Sequence, residues 1–342
     1  MRMTIKEIAE LAGVSRATVS KIINNYDDVG EKTKKRVLDI MEQHNYRPSY
    51  SAQTLARKKT NVIGVIYAGE VNADFNHPFF VEVIDAFKKQ IGFMGYDLLF
   101  FSNEKFHKEE EDFLERCRHY NVDGCIVISG GNVQPSVYEL DKSEIPCVGL
   151  EIQLNGPNSS FVMSDNHQLI ELGVDHLVDL GIQNIAYIGG LRGSLITKLR
   201  EESFRFHMKE KNLPIKTNWM LEGDFFEESG YNAVKKLLLQ NELPQAIFAS
   251  ADMMAFGAMR AIKESAYSLE DFAIIGLDDI PASRYVNPAL TTIRQDKVKL
   301  GETAATLLHA RIEELEVEQG VYLPGELVVR ESCGYHRRKA FL

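Results

Sequence analysis

Apolar residues at the start of the chain recur every three or four positions, as on the buried face of an amphipathic helix. They are Ile5, Ile8, Ala9 and Ala12. Thr4 and Glu7 form a T-x-x-E capping box, in which each side chain can bond a free backbone amide at the helix start. Gly13 can adopt the positive φ that a tight turn requires. The pattern therefore predicts a short helix followed by a turn.

A second helix is predicted to start after the N-cap residue Ser15 and to run to about residue 24. Its outer face is polar and basic and comprises Arg16, Ala17, Thr18, Ser20 and Lys21. A third helix over residues 31–44 is expected to bury Val37, Leu38 and Met41. Two helices joined by a glycine turn, with a small polar outer face, indicate a helix-turn-helix rather than a generic helical hairpin.

From residue 61 onward, short apolar runs alternate with amphipathic helical stretches. The predicted strands are residues 62–67, 97–102, 124–129, 146–150, 184–189, 246–250 and 273–277. The predicted helices are residues 78–93, 166–180, 198–211, 227–240, 252–265 and 297–318. This alternation is typical of parallel sheets covered on both faces, and about 280 residues suffice for two such sheets.

Charge is distributed unevenly along the chain. Residues 1–59 contain 12 Lys and Arg against 7 Asp and Glu, whereas the remainder contains 27 against 42. A net charge of +5 at the start and −15 elsewhere is expected of a nucleic-acid-binding segment on an acidic body.

The segment TIKEIAELAGVSRATVSKIINN, followed by YRPSYSAQTLA, resembles the LacI/GalR family of bacterial transcriptional regulators. The resemblance extends along essentially the whole chain through NHPFF, VDGCIVIS, EGDFFEESG, ADMMAFGAMRAI, IGLDD and NPALTTIRQD. It implies an all-α helix-turn-helix headpiece and an α/β two-lobed periplasmic-binding-protein-like domain with two doubly wound parallel sheets.

The domain boundaries that this resemblance implies divide the chain into three parts. They are a headpiece over residues 1–48, a hinge over 49–60, and an effector-binding and dimerisation domain over 61–342. Lobe 1 would comprise about 61–161 and 295–321, and lobe 2 about 162–294 and 322–342. Three crossovers are expected, near residues 162–164, 291–294 and 322–325.

The resemblance also implies DNA-binding roles for residues of the headpiece. The second helix would lie in the major groove, where Arg16, Ala17 and Lys21 would read bases. The expected backbone contacts come from Thr4, Ser15, Thr18, Ser20 and Asn24. In the hinge, Leu55 would wedge into the minor groove, flanked by Tyr50, Ala52 and Gln53. The alternative for residues 49–60 is a flexible basic linker.

A small-molecule effector is expected between the lobes, beyond the carboxyl ends of the strands. The predicted contacts are Asn76, Phe79, Ser129, Glu151, Arg200, Phe225, Asp278 and Gln295. Structural alternatives exist, because Phe225 could be a core residue, Arg200 a surface charge and Asp278 a helix cap.

The class of effector depends on three departures from family patterns. Glu151 stands where sugar-binding members usually have Asp, and Ala251-Asp252 stands where they have Asn-Asp. Ile152 stands where purine-binding relatives have Trp. These residues favour a sugar or polyol with an atypical hydroxyl pattern, with a purine as the alternative.

Other classes of protein find little support in the sequence. The start of the chain lacks the pattern of a signal peptide and no apolar run reaches 18 residues, so we expect a cytoplasmic protein without membrane spans. Cys117, Cys125, Cys147 and Cys333 lack C-x-x-C spacing and are expected to be buried thiols. No phosphate-loop or metal-binding spacing was found, so neither cofactor nor metal is expected.

The expected protein is thus a non-enzymatic regulator, acting as a repressor, that binds palindromic operator DNA as a homodimer. The dimer is expected because residues after Gly334 are too few for a tetramerising coiled coil. A solute-binding protein of the same fold and an α/β enzyme using Asp278, Arg200 and His77 are the alternatives.

Overall fold

A computed structural model describes residues 3–23, 26, 28–46, 59–69, 76–102, 112–129 and 133–334. The chain forms two compact units, Met1–Asn61 and Val62–Leu342. Within the described part of the chain, no helix has both the length and the apolar character needed to cross a bilayer.

The N-terminal unit contains three helices. They are α1 (Ile5–Ala12), α2 (Arg16–Ile23) and α3 (Glu31–Gln43). The capping box is present, since the Thr4 amide donates to Glu7 Oε2 at 2.7 Å and the Glu7 amide donates to Thr4 Oγ1 at 3.4 Å. Gly13 ends α1 with a φ of 61°. The helix-turn-helix prediction is therefore confirmed at the level of local geometry.

The core of this unit contains Ile8, Ala9, Ala12, Val19, Ile22 and Val37. The expectation for Leu38 was wrong, because 44% of this residue is exposed. Met41 packs against the core while remaining partly exposed. A helix of 13 residues that covers two shorter helices directs only one narrow stripe inward, and Leu38, next to Val37, lies outside that stripe.

The body is built on two six-stranded sheets. The strands are β1 (Val62–Ala68), β2 (Asp97–Phe100), β3 (Gly124–Ser129), β4 (Cys147–Leu150), β5 (Ser159–Ser164), β6 (Ile185–Ile188), β7 (Met220–Leu221), β8 (Ala246–Ala249), β9 (Ala273–Asp278), β10 (Thr291–Arg294), β11 (Gly320–Leu323) and β12 (Glu326–Val328). The first sheet has the order β11-β5-β4-β3-β1-β2, and the second has the order β12-β10-β9-β8-β6-β7.

Helices cover both sheets. They are α4 (Pro78–Phe93), α5 (Phe113–Tyr120), α6 (Pro135–Asp141), α7 (Asn166–Asp179), α8 (Leu195–Glu210), α9 (Glu227–Leu237), α10 (Asp252–Lys263) and α11 (Lys297–Ile312). Lobe 1 is defined here as the first sheet with α4, α5, α6 and α11, and lobe 2 as the second sheet with α7 to α10. Each lobe contains its own buried apolar clusters.

The two-sheet α/β architecture is confirmed, with one difference in strand direction. All pairs of the first sheet are parallel, but β12 pairs antiparallel with β10 at the edge of the second sheet. Between β10 and β12 the chain passes through α11 and β11 of the first lobe, and it then returns to the edge of the second sheet in the opposite direction.

Two of the three passages between lobes lie slightly beyond the expected positions, and the third, at residues 324–325, lies within the expected range. β5 continues to Ser164 and β11 to Leu323 because these strands pair with each other along their full length. Residues 291–294 form strand β10 of lobe 2, so this passage follows Arg294. Lobe 1 consequently extends past the expected ends at residues 161 and 321.

Glycine allows α11 and α4 to pack closely in lobe 1. A Cβ atom added to Gly301 would lie 2.4 Å from the carbonyl oxygen of Val83 and 2.7 Å from the amide nitrogen of Phe87. Both distances are shorter than a van der Waals contact. The two helices therefore meet backbone to backbone at this position, which places the start of α4 at the boundary with lobe 2.

Candidate functional site

The second helix of the N-terminal unit presents Arg16, Ala17 and Lys21 to solvent. Lys21 forms an ion pair with Asp28, so part of its charge is balanced within the unit. Because both side chains of this pair are about half exposed, the ion pair contributes little and can be exchanged for another anion. This face has the chemistry for base-edge and phosphate contacts.

The predicted backbone-contacting hydroxyls of this unit also have local structural roles. Ser15 Oγ accepts from the Thr18 amide at 3.0 Å and lies 2.9 Å from Thr18 Oγ1, which caps α2. Thr4 is engaged in the capping box of α1. Ser20 is half-buried. The remaining predicted positions, Asn24, Tyr50, Ala52, Gln53 and Leu55, lie outside the described residues.

A cavity lies between the two lobes of the body, where the carboxyl ends of strands from both sheets meet. Its lining includes seven predicted residues, namely Phe79, Ser129, Glu151, Arg200, Phe225, Asp278 and Gln295. It also includes His77, Phe80, Ile196 and Ala251. Asn76 is exposed and is not part of the lining, because α4 begins at Pro78 and His77 is the residue that turns inward.

Sequence reasoning had no signal for Phe80 and Ile196. Both are apolar residues near the start of a helix, and such residues are usually assigned to the core. Phe80 packs edge-on against Phe79 with ring centroids 5.1 Å apart, so the two rings form one wall of the cavity. Only the arrangement of α4 against lobe 2 identifies them as lining residues.

Arg200 is the organising cation of the site, and only 4% of it is exposed. Its Nε donates to Asn166 Oδ1 at 2.7 Å, and one terminal nitrogen donates to the Ser250 carbonyl at 2.8 Å. The other terminal nitrogen lies 3.3 Å from Gln295 Oε1. These bonds fix the guanidinium plane, and a guanidinium has five N–H donors in total. Arg200 therefore retains donors for a ligand.

Gln295 and Asp278 continue this network. Gln295 Nε2 donates to Asp278 Oδ1 at 2.6 Å. Lys297, which is also buried, donates to the carbonyl oxygens of Asp278 and Asp279 at 2.7 and 2.8 Å. Lys297 begins α11 of lobe 1, so its ammonium group connects that helix to the end of β9 in lobe 2. Burial raises the pKa of the Asp278 carboxyl, while Arg200 and Lys297 oppose the shift.

Glu151 enters the cavity from lobe 1. Its Oε1 accepts from the Ser164 amide at 2.8 Å and from the Ser164 hydroxyl at 3.1 Å. Burial raises the pKa of Glu151, and the charge of Arg200 acts in the opposite direction. The longer side chain noted in the sequence is therefore held by the end of β5.

Three lining residues have unusual backbone geometry. Glu151, Phe225 and Asp278 have φ values of 56°, 74° and 130°, which residues other than glycine rarely adopt. Backbone strain of this kind persists where the surrounding structure enforces it, and it concentrates at binding sites. Here it directs all three side chains toward the same cavity.

Three buried polar atoms around the cavity have no hydrogen-bond partner among the described residues. They are Glu151 Oε2, Asp278 Oδ2 and His77 Nδ1. His77 Nε2 lies 3.3 Å from the Phe225 carbonyl oxygen. Burial lowers the pKa of His77 to about 4, so the ring is neutral near pH 7. With Nε2 donating to the carbonyl, Nδ1 is an acceptor, and all three unpartnered atoms can accept.

The cavity measures about 40 Å³ in this conformation. A buried water needs at least about 10–15 Å³ measured in the same way, so only a few waters would fit. A sugar or a nucleobase is larger than this space. Such a ligand would therefore require the two lobes to separate.

Asp252 has a structural role that the sequence did not reveal. Its carboxylate accepts from the hydroxyls of Ser283 at 2.6 Å and Thr292 at 2.5 Å, and from the Ile280 amide at 3.1 Å. Burial raises the pKa of this carboxyl, and the nearby Asp278 charge adds to the shift. Asp252 therefore holds the segment after β9, and Ala251 is the residue that reaches the cavity.

Comparison with known proteins relates both units to described families. Residues 4–49 match the description "Bacterial regulatory proteins, lacI family", and residues 174–333 match "Periplasmic binding protein-like domain". The HTH-type transcriptional repressor PurR of Haemophilus influenzae (strain PittEE) is 35% identical over 337 residues, covering 96% of this chain and 98% of the relative. PurR of Pasteurella multocida (strain Pm70) is 35% identical over 332 residues, with the same coverage.

Solved structures resemble the chain along its length. A lac repressor dimer bound to operator and the anti-inducer ONPF has a TM-score of 0.79 and 28% identity, covering 97% of this chain and 99% of that one. The transcriptional regulator CelR in complex with cellobiose has a TM-score of 0.73 and 26% identity, covering 97% and 100%. An Enterococcus faecium regulator with bound ribose has a TM-score of 0.68 and 27% identity, covering 79% and 98%.

Proposed function

The chain belongs to the LacI family of bacterial regulatory proteins, and from this premise we propose that a small molecule bound between its two lobes controls its affinity for DNA. The protein is a DNA-binding transcriptional repressor of this family and is not an enzyme. The proposal adds that it acts in the cytoplasm as a homodimer on a palindromic operator. The dimer with operator among the similar solved structures supports this assembly.

The observation that carries the proposal is the set of unpartnered acceptors around the cavity. A buried polar atom without a hydrogen-bond partner destabilises a protein by about 1–3 kcal/mol. Three such atoms together therefore destabilise the cavity unless a ligand donates hydrogen bonds to them. Glu151 Oε2, Asp278 Oδ2 and His77 Nδ1 all require donors. The ligand should accordingly carry several O–H or N–H groups.

A sugar or polyol is the effector class we propose. Hydroxyl groups can donate to these acceptors and accept from Arg200, and the Phe225 ring offers an apolar face for a sugar ring. Two of the similar solved structures contain cellobiose and ribose. In this chain the cavity measures about 40 Å³ and must open to admit even one ring.

A purine is the second candidate, and the aromatic walls favour it. Phe79, Phe80 and Phe225 line a narrow space in which a flat ring system could stack, and its N–H groups could meet the same acceptors. The PurR repressors named above are also more similar to this chain, at 35% identity, than the structures with cellobiose and ribose, at 26% and 27% identity. Ile152 argues against this alternative, since it is 4% exposed and belongs to the core of lobe 1.

Control of DNA binding would follow from the position of the cavity. A ligand that occupies it changes the arrangement of lobe 1 relative to lobe 2, and so favours one state of the dimer. If the two states hold the DNA-binding units at different spacings, the free energy of effector binding is coupled to that of operator binding. The sign of the coupling decides whether the effector induces or corepresses.

The proposed DNA contacts combine the face of α2 with the hinge. Arg16 would bind a guanine bidentately, Ala17 would contact a thymine methyl, and Lys21 would leave Asp28 for a base or phosphate. Thr4 and Ser15, which cap α1 and α2, and Thr18, which bonds to Ser15, would contact phosphates with their hydroxyl groups. Leu55 is proposed as the minor-groove wedge.

The test has two steps. Operator sequences are first selected from a palindromic DNA library with the full-length protein, and binding is measured by fluorescence anisotropy. A panel of monosaccharides, disaccharides, sugar phosphates, polyols and purines is then screened by thermal shift, since a ligand at 100 times its Kd stabilises by about 2.7 kcal/mol. A hit that also changes the operator Kd supports the proposal.

The same experiment separates the alternatives. If only purines raise the melting temperature and change the operator Kd, the effector is a purine rather than a carbohydrate. Operator binding that no compound of the panel changes, together with the absence of thermal hits, contradicts control by either class. Failure to select any palindromic sequence contradicts the dimeric mode of DNA binding.

A further inference from the structure

Two neighbouring helices of lobe 2 bring three potential metal ligands together away from the cavity. His167 and Glu171 lie one turn apart on α7, and His207 lies on α8. A ring nitrogen of each histidine and a carboxylate oxygen of Glu171 lie within 4.8 Å of one another. The two imidazole rings approach edge to face with their centroids 4.5 Å apart.

His207 has an unsatisfied polar atom at this place. Only 4% of the residue is exposed, and its Nε2 has no hydrogen-bond partner among the described residues. His167, by contrast, is exposed, so the cluster opens to solvent on one side. A buried histidine with an unpartnered ring nitrogen, next to an accessible histidine and a carboxylate, can serve as a metal ligand.

In the part of the chain that the structure describes, carboxylates outnumber the one ammonium group beside the cluster, since Glu171, Asp175 and Asp179 all act on Lys211. Asp175, one turn after Glu171, pairs with Lys211 through a distance of 2.7 Å. A shared metal ion needs the deprotonated ring nitrogens of both histidines, and neighbouring carboxylates favour its positive charge.

We propose that His167, Glu171 and His207 bind a divalent transition-metal ion, for which Zn²⁺ is the best fit. Two imidazoles and one carboxylate are a ligand set that zinc accepts, with water as a fourth ligand on the solvent side. Ca²⁺ and Mg²⁺ prefer oxygen ligands only. Ligands of a tetrahedral zinc lie about 3.4 Å apart, given bond lengths of about 2.0–2.1 Å. The ligand atoms would therefore have to approach one another from separations of at most 4.8 Å.

The ion would join the two helices that hold Arg200. Asn166, which accepts from Arg200 Nε at 2.7 Å, directly precedes His167 on α7. Arg200 itself lies two turns before His207 on α8. A metal bridge between the helices would therefore fix the relative positions of Asn166 and Arg200.

The experiment uses the full chain after treatment with a chelator. Zinc binding is measured by competition with a chromophoric chelator, and the effect of zinc on thermal unfolding is measured in parallel. We expect one high-affinity zinc ion per chain and a higher melting temperature. His167→Asn and Glu171→Gln should each weaken zinc binding at least about tenfold, since even the loss of an outer-shell partner costs 10–100-fold.

A matched control exists in lobe 1. Glu115 and His119 have the same one-turn spacing on α5, and no third ligand was found beside them in the described residues. His119→Asn should therefore leave zinc binding unchanged. His207→Asn removes the buried ligand, and its fold is checked from the ligand-free melting temperature.

Three results would overturn the proposal. One is the absence of stoichiometric zinc binding to the unmodified chain. Another is an affinity that His167→Asn and Glu171→Gln leave unaltered. The third is a thiolate charge-transfer band in the spectrum of the Co²⁺-loaded protein, which would place the ion at the buried cysteines instead.

Discussion

The imidazole Nε2 of His77 lies 3.3 Å from the carbonyl oxygen of Phe225, which connects the start of α4 in lobe 1 with lobe 2. The same ring packs edge-on against Phe226 with centroids 5.4 Å apart. His77 therefore contributes both a hydrogen bond and apolar contact to the closed arrangement of the lobes. Its partner, Phe225, has the positive φ of 74° that brings its carbonyl group into reach.

The protonation of His77 should make the closed body less stable in acid. Its pKa is about 4 in the folded protein and 6.5 in a solvated histidine, so the unfolded state binds the proton first as the pH falls. Stability is lost between about pH 6.5 and 4, and at pH 5 the loss is about 2 kcal/mol. Urea unfolding at pH 7 and 5, followed by the fluorescence of the single tryptophan Trp219, measures this loss.

The variant His77→Gln isolates this effect from the buried carboxyls. Gln can donate to the same carbonyl oxygen but does not titrate, so its stability should fall less between pH 7 and 5 than that of the unmodified protein. His119→Gln, at an exposed histidine, should retain the original pH dependence. Parallel pH profiles for all three proteins would exclude His77 as the titrating group.

Asp278→Asn should weaken effector binding by about 10- to 100-fold, because a hydrogen bond to a charged group contributes roughly 1.5–3 kcal/mol. Asn keeps an oxygen acceptor for the Gln295 amide. Since burial raises the pKa of this carboxyl, removing its charge should not destabilise the ligand-free protein. Calorimetry with the compound identified by the screen measures the affinity. Asp97→Asn, at an exposed strand end, is the control, and equal affinities would remove Asp278 from the site.

Arg16→Ala should cost roughly 1–3 kcal/mol of operator binding and relax the sequence preference at one base pair of each half-site. Arg16 is exposed on the outer face of α2 and available for a guanine. Competition binding against single-base operator variants measures the preference. Lys6→Ala, on α1, should leave the preference intact. An equal loss on every operator variant would instead identify Arg16 as a phosphate contact.

Gly301→Ala should destabilise lobe 1 by about 1–3 kcal/mol, because the added methyl group would meet the backbone of α4 at 2.4 Å. Gly92→Ala, on the partner helix α4, meets no atom within 4 Å and should stabilise by up to about 1 kcal/mol through helix propensity. Urea midpoints of the two variants provide the comparison. Similar shifts for both would contradict the close approach of the helices.

Elements with a strong local signal were predicted correctly. The capping box at Thr4, the turn at Gly13 and the buried strands β1, β3 and β9 depend on residues close together in sequence. Elements with a weaker local signal in the sequence were not predicted. Residues 162–164 were expected to form a passage between lobes, but they belong to β5 because β4 and β11 pair with this strand on both sides.

The residues of the candidate site could likewise be predicted only in part from the sequence. Strand ends and charged residues led to Glu151, Arg200 and Asp278, because ligands of such folds bind beyond the carboxyl ends of strands. Asn76 was expected at the site and is exposed, whereas its neighbour His77 lines the cavity. A difference of one residue at a helix start reverses the direction of the side chain, and the sequence does not resolve it.

By itself, the sequence determined the helix-turn-helix, the alternation of strands and helices in the body, the basic N-terminal unit and the family resemblance. These features follow from local periodicity, capping residues and charge. Only the tertiary structure decided which polar atoms are left without partners, how Asp252 is used and that His167 and Glu171 meet His207. Such relationships join residues from distant parts of the chain, and they depend on how two sheets and their helices pack.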